Sequence, residues 1–208
     1  MRSSDRSKEL HSFDRKFVPD GHKLANCGRD GNIVLIGMPG AGKSTVGVVL
    51  AKRLGRAFLD SDLVIQEKEG MLLHEIIAKE GLDGFLRIEE EVNASLEAEG
   101  AVIATGGSVV YGQKAMEHLK QIGTVIYLQL PLETIAERLG DLNERGVALQ
   151  DGQSLQSLYE ERVPLYERYA DIILPCENRM LREIVVEIAE SYKILGHSDK
   201  DRLGGGDD

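Results

Sequence analysis

The stretch Asn32-Ile33-Val34-Leu35-Ile36-Gly37-Met38-Pro39-Gly40-Ala41-Gly42-Lys43-Ser44-Thr45-Val46 decides the fold. Its first five residues have the unbroken β-branched and aliphatic character of a strand covered on both faces. Beyond it Val46, Val49, Leu50 and Leu54 recur on one helical face, and Gly55 ends that pattern. Between strand and helix lies Gly-x-x-x-x-Gly-Lys-Ser, and this flanking context makes the motif specific. The glycines let the backbone curl with several N–H groups pointing inward, and the helix N-terminus adds a partial positive charge. Gly37, Gly40, Ala41, Gly42, Lys43, Ser44 and Thr45 are therefore expected to cradle the phosphates of ATP. Lys43 would reach the β- and γ-oxygens, and the Ser44 hydroxyl would ligate Mg²⁺. A turn that only caps a helix needs neither the lysine nor the following Ser-Thr. The loop leaves open whether the nucleotide drives transfer, a switch or hydrolysis.

Outward from this segment the strand signal returns at Ala57 to Leu59, Ala101 to Ala104, Thr124 to Leu130 and Asp171 to Leu174. Helical patterns fill the intervals: Leu72 to Lys79, Phe85 to Glu99, Lys114 to Gln121, Leu132 to Leu139, Leu155 to Tyr169 and Leu181 to Leu195. Alternating strands and helices imply right-handed parallel crossovers. The fold expected is α/β: a three-layer, five-stranded parallel sheet with helices on both faces, ligands at the carboxyl ends of the strands, and a mobile lid. Residues 1–31 form an N-terminal extension, 32–195 the folded domain and 196–208 a C-terminal tail.

With 208 residues and 42% hydrophobic side chains, one domain is the natural size. Seven Lys/Arg against five Asp/Glu through Asp30 give the extension +2, so the rest carries −12 of the net −10. Such a body repels polyphosphate backbones and anionic membranes, which argues against nucleic-acid and membrane partners. Cys27 and Cys176 are too few for a disulfide framework and fit reduced thiols, so a cytoplasmic location is expected. A monomer with a small-molecule substrate is a separate expectation.

Beside the phosphate loop, the second strand runs into Asp60-Ser61-Asp62. One carboxylate can join the Mg²⁺ shell while the other takes the proton of an attacking hydroxyl, and we assign Asp60 to the first role and Asp62 to the second. On local sequence an Asp-Ser-Asp helix cap before Leu63-Val64-Ile65 is an equal alternative. Gly140 to Gln153 has little to bury and lies between two helices, so a lid that excludes water is expected there, with Arg145 inside it.

These pieces, with Phe85-Leu86-Arg87-Ile88-Glu89-Glu90, Val102 to Gly107 and Arg162-Val163-Pro164-Leu165-Tyr166, resemble the shikimate kinase family in order and interval, from about Asn32 to Leu195. The resemblance implies that Asp62 binds and deprotonates or orients a substrate hydroxyl, that Gly106 and Gly107 offer backbone contacts, and that Arg162 grips the substrate carboxylate. It also implies Arg138 beside the adenine and Arg145 on the transferring phosphoryl. A guanidinium holds a carboxylate bidentately at any working pH, which suits Arg162. Its bland alternative is a solvated helix face, against which Pro164 marks a local break. Arg138 could equally be a charge complementing a helix C-terminus.

The chain departs from the family at three points. Leu86 stands where an arginine is usual, leaving Arg87 as the possible substitute, although a helix turns by about 100° per residue. Ser108 follows Gly106-Gly107 in place of a third glycine, and Gly146-Val147-Ala148-Leu149 follows Arg145. The readings are therefore a kinase of shikimate, a kinase of another small hydroxy acid or alcohol such as gluconate, or a nucleotide-binding regulatory domain without transfer.

Overall fold

The computed structural model describes residues 31–139 and 152–198. The extension through residue 30, Arg145 with most of the expected lid, and the tail beyond residue 198 lie outside the described residues.

Strands β1 (Asn32–Ile36), β2 (Phe58–Asp60), β3 (Val102–Ala104), β4 (Gly123–Gln129) and β5 (Ile172–Pro175) form one sheet in the order β2-β3-β1-β4-β5. Every pairing is parallel, with Val34 opposite Ile103 on one side and Val125 on the other. Helices α1 (Lys43–Leu54), α2 (Ser61–Glu69), α3 (Leu73–Ala94), α4 (Gln113–Ile122), α5 (Leu132–Leu139), α6 (Leu155–Tyr169) and α7 (Leu181–Ser198) make the crossovers. Successive residues of a strand face opposite sides, and Ile33, Val34, Leu35 and Ile36 are all wholly buried, so both faces are covered. α1 packs on β3 and α7, and α4 on α3 and β4.

Two differences from the expected elements have clear causes. α2 carries Gln66-Glu67-Lys68-Glu69 and buries only Ser61 and Ile65, so its periodicity is too thin to read as a helix. The two helices expected between Leu72 and Glu99 are continuous except at Gly81, whose φ of 71° and ψ of 174° turn the chain between them. α6 runs through Pro164 to Tyr169, so the proline does not end the helix.

At the amino end of the sheet, buried Asn32 links three segments. Its Nδ2 donates to Ala98 O at 2.7 Å and Ile122 O at 2.9 Å, while its Oδ1 accepts from Ala101 N at 2.9 Å. The opposite, carboxyl end is where the connections after β1, β2 and β3 converge.

Candidate active site

The loop after β1 closes tightly against the sheet. At Gly37, φ is 145° and an added Cβ would come 2.9 Å from Leu128 O, so only glycine fits. Gly42 caps α1 in the left-handed region at φ 93°, which turns the first amides of the helix toward the loop's hollow. Lys43 folds back beneath them, its Nζ donating to Gly37 O at 2.7 Å and Met38 O at 3.0 Å. Burial lowers its pKa to about 8, with Asp62 the leading influence in the opposite direction.

β2 delivers the two carboxylates. Asp60 is the N-cap of α2, its Oδ1 accepting from Asp62 N at 3.1 Å, while its Oδ2 accepts from the Ser44 hydroxyl at 2.7 Å. The cap alternative is therefore realised through one oxygen, while the other meets the phosphate loop. Asp62, in the first turn, lines the same hollow as the phosphate loop, and its buried Oδ1 has no hydrogen-bond partner. Burial, and then Asp60, push its pKa up to about 6, with Lys43 pulling the other way.

At the end of β3 the Thr105 hydroxyl donates to Leu35 O at 3.0 Å, pinning the strand before it turns through Gly106 and Gly107. A Cβ on Gly106 would lie 2.2 Å from Glu89 Oε1 and 2.8 Å from Asp62 Oδ1, so the two carboxyl oxygens flank a bare backbone. Glu89 was not anticipated as a site residue. It occupies the buried side of α3, four residues after Phe85 on the apolar stripe, and a carboxyl there is the signal that could have exposed it. Burial raises its pKa to about 7, partly offset by a hydrogen bond with Ser108.

Arg162, from α6, is only 1% exposed, which excludes the solvated-face alternative. Its Nε donates to Tyr111 Oη at 3.1 Å, and it also hydrogen-bonds Tyr166. Tyr166, one turn further on, donates its hydroxyl to Gly107 O at 2.6 Å. The arginine and tyrosine of the Arg-Val-Pro-Leu-Tyr piece thus share a helix face toward the β3 loop.

One cavity of about 610 Å³ joins these groups. Gly40, Ala41, Gly42, Lys43, Ser44 and Thr45 line one part of it, along with Arg138, Leu139, Arg179 and Ile184. Asp62, Phe85, Glu89, Gly106, Gly107, Ser108 and Arg162 line the other. Arg138 Nη1 reaches Gly40 O at 3.4 Å from the last turn of α5, combining cavity lining with the helix-end position expected as its alternative. Arg179, also unanticipated, pairs with Glu187.

Arg87 is a correction. Its side chain is exposed and is not part of the cavity wall, because the rotation from Phe85 to Glu89 along α3 carries position 87 outward. Leu86 does not face the site either, but packs in the apolar cluster of Ile65, Ile76, Phe85 and Val92.

A parallel sheet with a phosphate loop after its central strand, facing a wall of carboxyl groups and a buried guanidinium, defines a P-loop phosphotransferase. The family model described as shikimate kinase matches residues 39–193. Shikimate kinase of Sulfurihydrogenibium sp. is 36% identical over 163 residues, 78% of this chain and 98% of that protein, and the enzyme of Actinobacillus succinogenes is 39% identical over 163 residues, 76% and 93%. Among solved structures, shikimate kinase from Acinetobacter baumannii in complex with shikimate superposes with a TM-score of 0.71 at 36% identity, covering 77% of this chain and 92% of that one. The Aquifex aeolicus enzyme gives 0.68 at 34%, covering 79% and 99%. The chain belongs to the shikimate kinase family, and as such is an ATP-dependent phosphotransferase acting on an alcohol group.

Proposed function

We propose that this protein transfers the γ-phosphoryl group of ATP to the 3-hydroxyl of shikimate, a step of aromatic amino-acid biosynthesis, in the cytoplasm and as a monomer. The observation that carries this reading is that Lys43, Asp62 and Arg162 share one cavity, which gives it a phosphate end, a hydroxyl-activating group and a carboxylate-binding end.

Asp62 takes the proton of the acceptor hydroxyl as its oxygen attacks the γ-phosphorus and the bond to the ADP oxygen breaks. A pKa near 6 leaves Asp62 ionised at neutral pH, yet basic enough to accept that proton. Lys43, moving from the carbonyls of Gly37 and Met38 to phosphate oxygens, offsets the charge gathering there. Arg162 holds the acceptor's carboxylate, and the amides of Gly106 and Gly107 fix its ring beside Asp62.

The Ser44 hydroxyl and the Asp60 carboxylate, already 2.7 Å apart, are hard oxygen donors suited to Mg²⁺. When bound there, Mg²⁺ would neutralise phosphate charge.

The deciding assay follows ADP release with shikimate, gluconate, homoserine or buffer alone. Stimulation by shikimate supports the proposal, stimulation by another acceptor alone reassigns the substrate, and tight ATP binding without stimulation by any acceptor removes the kinase reading.

A further inference from the structure

Immediately after Gly106-Gly107-Ser108 the chain makes a short 3₁₀ turn, Val109–Tyr111. Val109 and Val110 are buried, Tyr111 N donates to Ser108 O at 2.9 Å and Gly112 N to Val109 O at 3.1 Å, so the turn is fixed to the same strand end that presents Gly106 and Gly107. Tyr111 leaves this turn and meets Arg162 in two ways. Its oxygen accepts from Arg162 Nε at 3.1 Å, and its ring centroid lies 5.1 Å from the guanidinium carbon.

Those two contacts fix different freedoms of the arginine. The hydrogen bond to Nε uses the one donor on the stem side of the guanidinium, and the ring restrains the plane of the group by cation–π attraction. Arg162 Nη1 stays over Gly107, 3.1 Å from where a Cβ would sit. The Tyr111 hydroxyl also hydrogen-bonds Glu161, whose carboxylate accepts from Gln153 Nε2 at 2.8 Å. Tyr111 is thus oriented from behind while it orients Arg162 in front.

We propose that Tyr111 is a positioning residue for the acceptor's carboxylate, acting by holding the Arg162 guanidinium over Gly107. The inference rests on Arg162 being the carboxylate clamp. Tyr111 itself need not touch the acceptor. With Leu86 turned into an apolar cluster, Arg162 is, among the described residues, the arginine on this wall of the cavity, and its aim matters correspondingly more.

The test compares Tyr111→Phe, which keeps the ring, and Tyr111→Leu, which removes ring and hydroxyl, in steady-state kinetics with shikimate and ATP. The affinity of shikimate methyl ester, as KM or competitive Ki, is measured in parallel. For Tyr111→Phe the shikimate KM should rise roughly three- to tenfold, the scale of one ordinary hydrogen bond, because the lost bond orients Arg162 and does not touch the acceptor, and for Tyr111→Leu further. KM for ATP and kcat should stay within about twofold, as expected when an interaction acts on ground state and transition state alike. Ester affinity should move by less than about twofold, since the ester presents no carboxylate for Arg162 to grip. An unchanged shikimate KM in Tyr111→Phe, an equal loss for acid and ester, or a fall in kcat at constant KM would each overturn the proposal. If Tyr111→Leu fails to fold, Tyr111→Phe decides alone. Absence of shikimate turnover by the unaltered enzyme would instead overturn the function on which this inference rests, and the inference with it.

Discussion

Replacing Asp62 with asparagine should make the protein more stable and less active at the same pH. Burial raises the Asp62 pKa from 3.8 to about 6, so ionising it in the folded state is about 3 kcal/mol harder than in the unfolded chain, at about 1.4 kcal/mol per unit. The sign follows from linkage. A raised folded-state pKa contributes stability that is fully present below about pH 4 and lost as pH rises through 6, so at neutral pH the ionised group is a burden. Asparagine removes that burden, but it also deprives Lys43 of the strongest influence holding its pKa up, which returns part of the gain. The net expectation is about 1–2 kcal/mol of added stability at pH 7.5, fading toward zero near pH 4.5. Activity should fall by about 10²–10⁴, the usual cost of losing a general base, with ATP affinity retained. Urea melts at pH 4.5 and 7.5, together with coupled ADP-release kinetics, read both quantities. An Asp62→Asn variant less stable than its parent at pH 7.5, or one retaining kcat within tenfold, would refute the assignment.

The pH profile of kcat/KM should be bell-shaped, rising as Asp62 ionises near pH 6 and falling as Lys43 loses its proton near pH 8, and a flat profile from 5.5 to 8.5 would contradict it. Gly106→Ala places a methyl group 2.2 Å from Glu89 Oε1 and 2.8 Å from Asp62 Oδ1, so acceptor kcat/KM should fall at least about 100-fold while nucleotide titration still shows ATP binding. Arg87→Ala, being outside the cavity, should change acceptor KM by less than about twofold, and a larger rise would return that arginine to the site.

The phosphate loop was readable because its chemistry is contiguous: the strand, the glycines, Lys43 and Ser44 occupy one run, and each constrains the next. Asp62 stood out as a carboxylate at a strand end beside the phosphate loop, whereas Arg162 was singled out by the resemblance alone; the fold lines one cavity with both. Glu89 escaped because a glutamate on a helix normally faces water, and only the packing of α3 on α2 and the β3 loop shows that this one does not. Tyr111 escaped for a related reason: its partner is 51 residues away, and nothing local marks a half-buried tyrosine as a support for a distant arginine. Arg87 fails as a substitute for the reason the helix supplied from the start: one step along it redirects a side chain by about 100°, and between buried Phe85 and Glu89 that leaves position 87 outside the cavity. Gly81 was legible only as a gap between two patterns, since its backbone angles have no counterpart in periodicity.

The amide of Asn32 has a consequence for how this platform assembles. Its three backbone partners lie 66, 69 and 90 residues further along the chain, so no local folding event satisfies it. Until all three have arrived, a polar group sits in a greasy interior with unmet needs. The floor beneath the phosphate loop therefore behaves as a keystone arch, with half-built versions penalised and the last segment to dock locking every earlier one in place.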